Sequence, residues 1–315
     1  MAVNPRTKFG RIGVLMGGSS SEREISLKSG SAVYDALKQL SLEVTPIDIK
    51  TDSIGENIKL IKSYSIDCAF LALHGRFGED GQIQKILETI GVPYTGSGVE
   101  ASRLAMDKVA SRSIFESGGL HVPKYKVLDK VSYNQDVKIN PGLSWPLVIK
   151  PATHGSSIGL SIILREEDLK KAVDLAFTFD DKVIIEEYIK GRELTVGILD
   201  EQSLPAIEII PKKTFFDYEA KYQPGLTDYV VPAKLEEGIA TKVSRAALSA
   251  HKLLGCSGCS RVDMILSQHN EPFVLEVNTI PGLTETSLLP KAAKSIGIEF
   301  GELCLKLIKL AYEKE

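Results

Sequence analysis

The sequence predicts a multidomain chain, α/β at its N-terminal end and α+β beyond it. Three observations carry that expectation. The chain has 315 residues, more than one hydrophobic core usually serves, so two or three domains are expected. Its first hundred residues run strand, glycine loop, helix, strand, the order of a parallel sheet flanked by helices. Beyond them, short strand-like runs alternate with helices and loops, as in α+β units.

The elements follow in order. Residues 12–16, IGVLM, are an apolar run ending at Gly17-Gly18, read as a first strand and not as a signal peptide. Ile25, Ala32, Val33, Ala36, Leu37 and Leu40 recur at helical spacing. EVTPIDI (43–49) and CAFLAL (68–73) are strands, and the unit closes near residue 98 at VPYTGSG. Residues 99–117 read as one helical segment, stopped at Gly118-Gly119 as a C-terminal glycine cap would stop it. PLVIKP (146–151) and IGLSIIL (158–164) are strands joined through THGSS. Leu169, Ala172, Val173 and Ala176 mark a helix, and VIIEEYI (183–189) a third strand.

The last section holds the strands ELTVGIL, SLPAIEII, RVDMIL and PFVLEVN, a helix over 239–254 and a final helix over 300–313. Domains are therefore expected at 1–98, 99–187 and 188–315. The stretch 211–231, PKKTFFDYEAKYQPGLTDYVV, is aromatic and charged without a clean period, as a lid or binding loop would be.

Composition narrows the function classes. Apolar residues make up 43% and charged residues 25% of the chain, an ordinary soluble composition. The net charge of −3, with both signs interspersed, lacks the basic stripe of a nucleic-acid binder. No apolar run reaches the ~20 residues a membrane span needs. Of the four cysteines, Cys256 and Cys259 form a lone CxxC without the second ligand pair of a structural zinc site. Reduced thiols in a cytoplasmic protein are expected.

The most informative stretch is RVDMILSQHNEPFVLEVN (261–278), two alternating strands around a polar turn. A two-residue turn at His269-Asn270 would set Asp263 against Glu276 and Arg261 against Asn278. Side chains two apart share a strand face, so these four converge, while Val262, Met264, Leu275 and Val277 point the other way. Opposed carboxylates repel unless a cation lies between them. Hard oxygen ligands suit Mg²⁺ completed by phosphate oxygens; the competing reading is a solvated face with an Arg–Asp pair.

Lys150 leaves a strand beside the Gly-Ser-Ser loop of PATHGSSIG, where an ammonium and backbone N–H groups can meet phosphate. The loop is not a GxxxxGK[ST] pattern, and a hairpin loop with a surface lysine reads as well from spacing. Lys108 follows Asp107 on a helix, where a lysine is usually solvated. Glu186-Glu187 end a strand and can hold ribose and adenine or simply be exposed. Gly17-Gly18-Ser19-Ser20-Ser21-Glu22-Arg23-Glu24 can bind a zwitterion, but Ser21-x-x-Glu24 also matches a capping box, which spacing alone favours. Ser287 in PGLTETSLLP is a good N-cap, and the helix start it opens can hold a carboxylate.

Taken together, GGSSSEREISLKSG, LALHGRFGEDG, PYTGSG, MDK, VIKPATHGSSIG, EEYIKGRELTV, FFDYEAKY, GCSRVDMIL and LEVNTIPGLTETSLLP resemble the D-alanine–D-alanine ligase family of the ATP-grasp fold, nearly end to end. The resemblance implies that Lys108, Lys150 and Ser157 contact ATP phosphates, and that Glu186, Glu187 and Glu193 contact its adenine and ribose. Asp263, Glu276 and Asn278 would hold two Mg²⁺ ions, for which Mn²⁺ can substitute. Glu24 would hold the first D-alanine's ammonium with His74 nearby. Ser156, Lys221 and Tyr222 would close the site. Arg261 and the Gly282 N–H would face the tetrahedral oxyanion, and Ser287 and Leu288 the second D-alanine's carboxylate.

The implied activity is ATP-dependent D-alanyl-D-alanine formation through an acyl phosphate for peptidoglycan synthesis, by a cytoplasmic homodimer binding neither membrane nor nucleic acid. A D-alanine–D-lactate ligase and a non-catalytic ATP-binding module are the rivals. One departure stands out: related enzymes often carry an acidic residue where this chain has His154, which bears on how the glycine loop is braced.

Overall fold

The computed structural model describes residues 9–133, 142–155, 157–212 and 227–313. Strand β1 (Arg11–Gly17) pairs in parallel with β2 (Glu43–Ile49) and β3 (Cys68–Leu71), in the order β2-β1-β3. Alternation along β1 divides the packing. Ile12, Val14 and Met16 meet Val33 and Leu37 of α1 (Arg23–Gln39) on one face. Leu15 faces Ile61 of α2 (Ile54–Tyr64) and Ile83 of α3 (Gln82–Ile90) on the other.

The expected helical segment 99–117 is two helices, α4 (Val99–Met106) and α5 (Lys108–Ser117). Asp107 breaks it at φ −83° and ψ 99°, and its carboxylate accepts from Val109 N at 2.9 Å and Ala110 N at 3.0 Å. The short acid competes for the backbone as N-cap residues do. The break turns Lys108 inward, where it is only 6% exposed. The glycine stop is as expected. Gly119 takes φ +77°, its N–H bonds Glu116 O, and Leu120 N–H bonds Phe115 O, a Schellman closure.

A four-stranded antiparallel sheet follows, ordered β4-β7-β5-β6. Its strands are β4 (Tyr125–Asp129), β5 (Leu147–Pro151), β6 (Ser161–Ile163) and β7 (Lys182–Glu187). Helix α6 (Leu169–Ala176) packs on it through Leu169, Ala172, Val173 and Ala176. The third sheet, β11-β10-β8-β12-β13 with β9 beside β8, is also antiparallel. It is built from β8 (Gly191–Leu199), β9 (Gln202–Ser203), β10 (Ile207–Pro211), β11 (Thr227–Val230), β12 (Cys259–Ser267) and β13 (Pro272–Asn278).

Helices α4 and α5, grouped by sequence with the central unit, pack on this third sheet. Ala101, Ala105 and Phe115 join Val196, Val262 and Val277 in one cluster, which α7 (Glu237–Leu253) completes with Val243 and Ala247. Two helices follow, the short α8 (Leu288–Lys294) and α9 (Phe300–Tyr312). The last returns to the N-terminal sheet, where Leu303, Leu307 and Ile308 pack with Ile12 and Val14.

Two expectations need correction. The end of the aperiodic stretch 211–231 is the strand β11, with Thr227 opposite Pro211; residues 213–226, including Lys221 and Tyr222, lie outside the described residues. The 267–271 turn is a three-residue loop, not the two-residue turn at His269-Asn270. Ser267 N bonds Glu271 O at 2.9 Å, and Asn270 takes φ +59°. A register shift after Asp263 compensates, so Arg261 still opposes Asn278 and Asp263 still opposes Glu276, while Met264 opposes Val274. The extra residue is Leu275. It lines a cavity beside Glu276, and Val274 takes the core position expected for it. Such a bulge re-aims side chains beside a site.

Candidate active site

Two cavities meet on the polar face of the β12–β13 hairpin. The first, of about 410 Å³, lies between the two antiparallel sheets and is lined by Lys108, Lys150, Ser157, Glu186, Glu187 and Glu276. The second, of about 620 Å³, lies against the N-terminal loops and is lined by Glu24, His74, Arg261, Asn278, Gly282 and Ser287, with Leu288 beside them. Glu193, Ile209, Asp263 and Glu276 line both. Every residue that sequence placed in the site faces one cavity or both, except Ser156, Lys221 and Tyr222, which lie outside the described residues.

The common wall is held by cations. Asp263 Oδ1 accepts from Thr195 Oγ1 at 2.6 Å and Arg261 Nε at 2.9 Å. Its Oδ2 accepts from Arg261 Nη2 at 2.8 Å and Asn278 Nδ2 at 3.1 Å. Glu276 Oε2 lies 3.2 Å from Lys108 Nζ, which also donates to His154 O at 2.8 Å. Two facing carboxylates thus draw positive charge from both sides. Among the described residues no group of three or more His, Cys, Asp or Glu converges on a metal position; the donor set is two carboxylates and an amide. All its oxygens are hard, which fits Mg²⁺ sharing its sphere with phosphate.

The first cavity also has a buried charge network. Glu186 pairs with Lys150 Nζ at 2.9 Å and with Arg112 on its other oxygen. Burial would push the Glu186 carboxyl up, but Arg112 and Lys150 outweigh it and hold it below the ordinary carboxylate range. Burial pushes the Lys150 ammonium down to about 8, against the opposing pull of Glu186. Glu186 is thus tied to both cations while it lines the first cavity. Glu187 accepts from Ser144 N at 2.9 Å. Ser157 sits at φ +57° in the tight turn where Ile158 N bonds Gly155 O at 3.2 Å.

The glycine loop is braced beside His154 by Thr153, while the His154 ring itself lies with Nδ1 3.9 Å from Asp180 Oδ2. Thr153 donates to Asp180 Oδ2 from its N–H at 2.7 Å and its hydroxyl at 2.8 Å. Arg76, from the N-terminal domain, donates to the same hydroxyl at 2.9 Å. Burial, then Arg76, lower the His154 pKa against the opposing pull of Asp180.

In the second cavity the capping box is not formed. Glu22 holds the N-cap position of α1 and no side chain caps the helix. Glu24 is exposed at the cavity wall, so the competing account of it fails. Ser287 is the N-cap of α8 as expected, yet its hydroxyl bonds Thr284 Oγ1 at 2.8 Å and does not cap the helix. His74 is buried. Its Nδ1 meets Ile280 O at 3.0 Å and its Nε2 meets Ser29 Oγ at 2.9 Å. Burial pushes its pKa down to about 4, with Arg261 acting in the same direction. It is a neutral hydrogen-bonding group.

Sequence reading missed Arg112, Thr195 and Arg76. Arg112 stands four residues after Lys108 on α5, the spacing that puts two side chains on one helix face, so that signal was present. Thr195 opposes Asp263 across β8 and β12; nothing in the sequence pairs those strands.

Comparisons with known proteins agree with this geometry. The D-ala D-ala ligase C-terminus model matches residues 114–309, and the D-ala D-ala ligase N-terminus model matches 11–57 and 55–97. The D-alanine–D-alanine ligase of Pelotomaculum thermopropionicum is 45% identical, over 96% of this chain and 97% of its own. That of Desulforudis audaxviator is 46% identical, over 96% and 99%. Among solved structures, the Bacillus anthracis D-alanine–D-alanine ligase complexed with ATP superposes with a TM-score of 0.85 at 36% identity, covering 96% of this chain and 97% of that one. The VanG D-Ala:D-Ser ligase of Enterococcus faecalis gives a TM-score of 0.83 at 32% identity, covering 96% and 99%. Matching family models at both ends, and relatives that run almost its full length, place the two-cavity chain in the D-alanine–D-alanine ligase family.

Proposed function

We propose that this chain joins two D-alanine molecules into D-alanyl-D-alanine at the expense of ATP, through an acyl phosphate, for peptidoglycan precursor synthesis. The observation that carries this reading is the meeting of the two cavities at Asp263 and Glu276. A phosphate donor held in the first cavity and amino acids in the second would react across that wall.

A carboxylate is a poor electrophile. In the first step one oxygen of the first D-alanine's carboxylate attacks the γ-phosphorus, and the bond to the β-phosphate oxygen breaks, giving ADP and the acyl phosphate. Lys150 and Lys108 offset charge on the transferring phosphoryl group. Asp263, Glu276 and Asn278 would hold two Mg²⁺ ions, or Mn²⁺ in their place. When bound, these supply Lewis-acid neutralisation of the phosphate oxygens.

In the second step the neutral amine of the second D-alanine attacks the acyl carbon, and the tetrahedral intermediate expels phosphate, which takes up the proton the amine gives up. Arg261 and the Gly282 N–H are the donors for its oxyanion. Glu24 suits the first ammonium. The start of α8, without a side-chain cap, suits the second carboxylate. Glu186, Glu187 and Glu193 suit the ribose and adenine. A lid between β10 and β11, to which Lys221 and Tyr222 belong and on which Ser156 would close, would keep water from the acyl phosphate. The homodimer and the cytoplasmic setting belong to the same reading. Among the described residues no helix is long and apolar enough to cross a membrane.

Phosphate release from ATP with D-alanine tests the proposal, run against D-lactate, D-serine and L-alanine. Release with D-alanine and a dipeptide product is expected. Release only with D-lactate as second substrate would make this a depsipeptide ligase, and ATP binding without turnover a binding module.

A further inference from the structure

The backbone that carries the Gly282 N–H is bracketed by a chain of buried hydrogen bonds from the N-terminal domain. Ile280 O lies 3.0 Å from His74 Nδ1, His74 Nε2 lies 2.9 Å from Ser29 Oγ, and Leu283 N donates to Ser29 Oγ at 3.4 Å. Ser29 is 1% exposed and His74 6%. The direction of each bond is determined. A carbonyl only accepts, so Nδ1 carries the proton, and a neutral imidazole then presents a bare Nε2. Ser29 must therefore donate to His74, which leaves its lone pairs for the Leu283 N–H.

The result is one continuous relay, Leu283 N–H to Ser29 to His74 to Ile280 O. It grips the residue before Pro281-Gly282 and the residue after it. The Ile280–Pro281 and Gly282–Leu283 peptide planes, on either side of the Pro281–Gly282 plane that carries the Gly282 N–H, are thus oriented by groups from α1 and the loop after β3, more than 200 residues away. Within the loop itself, the side chains of Ile280 and Leu283 are buried in two different clusters, which holds its ends without setting the rotation of the peptide between them.

We propose that Ser29 and His74 form a positioning relay that aims the Gly282 N–H at the developing oxyanion, so that the N-terminal domain tunes the ligation step as well as holding substrate. This rests on the reading of Gly282 as an oxyanion donor. Loss of the relay should act on the second step, because a donor displaced by a fraction of an ångström still admits substrate but stabilises the transition state less.

The test is a double-mutant cycle on Ser29→Ala and His74→Asn, with kcat, both D-alanine KM values and the ATP KM measured for each. Positional isotope exchange in ATP reports acyl phosphate formation separately. The expected result for Ser29→Ala is a kcat lower by about ten- to a hundredfold. Isotope exchange and all KM values should stay within about threefold of wild type. The double variant should be no slower than His74→Asn alone, since one relay is broken once. Ser29→Cys keeps the side chain's size and serves where alanine does not fold.

Unchanged kcat and KM in a folded Ser29→Ala, or strictly additive losses in the double variant, overturn the relay. A non-additive loss confined to the second D-alanine KM supports the relay but removes Gly282 from the oxyanion site, because the gripped loop would then act in binding only.

Discussion

The two cavities are built in opposite ways. The first is walled by strands, and its charges are locked to each other, Lys150 to Glu186, Glu186 to Arg112, Lys108 to Glu276. Beyond the shared wall, the second is lined by α1 and by loops from distant parts of the chain, and His74 there is held by the Ile280 carbonyl. A polyanion arriving in the first cavity meets cations whose counter-charges are already in place. A small zwitterion arriving in the second meets exposed groups such as Glu24. Substitutions in the first cavity should therefore disturb electrostatics and chemistry together. Those in the second should separate affinity from rate.

The largest expected effect is at the shared wall. Glu276→Gln should keep the fold and lower turnover on the order of 10³-fold or more, the scale of lost metal-borne charge stabilisation. Near-normal kcat at ordinary Mg²⁺ would sink the metal assignment and with it the shared wall.

Next comes pH in the first cavity. Without nucleotide, Lys150 loses its proton near pH 8, whereas bound phosphate favours the ammonium. ATP affinity should be flat below about pH 8 and weaken as pH rises beyond it, by up to tenfold per unit. Lys150→Arg, which stays charged, should flatten the profile even if it binds more weakly. Calorimetric ATP titrations from pH 7 to about 9.5 would decide this, and a flat wild-type profile would refute it.

The second cavity gives a smaller effect. Glu24→Gln should leave the melting temperature unchanged, since no cap is lost. It should raise KM for the first D-alanine about tenfold or more, the scale of a hydrogen bond to a charged group. ATP binding should stay nearly intact. A wild-type KM at the first site would take Glu24 out of the site.

The smallest effect is at the seam between the cavities. Arg76→Ala removes one exposed bond to Thr153, while Asp180 still holds the loop. The ATP KM should rise less than about threefold, in line with ~1 kcal/mol or less. A tenfold rise would mean that the glycine loop depends on the N-terminal domain, and would erase the contrast between the cavities.

The sequence by itself determined the chemistry of the shared wall, because strand alternation is local. Arg261, Asp263, Glu276 and Asn278 had to share a face once two strands met in a hairpin, and their pairing survived an error in the turn. The helix stop at Gly118-Gly119 and the parallel order of the first sheet were legible for the same reason, since each follows from neighbouring residues.

The tertiary structure decided the rest. Whether Ser21 and Glu24 cap α1 depended on how the chain enters the helix from Ser20. The ion pairs of Glu186 depended on Arg112 arriving from α5, and the hydrogen bonds of His74 on Ile280 arriving from the far end of the chain. The bulge at Leu275 and the break at Asp107 are one-residue decisions. Periodicity cannot resolve them, because each weighs a local hydrogen bond against packing partners that sequence spacing does not name.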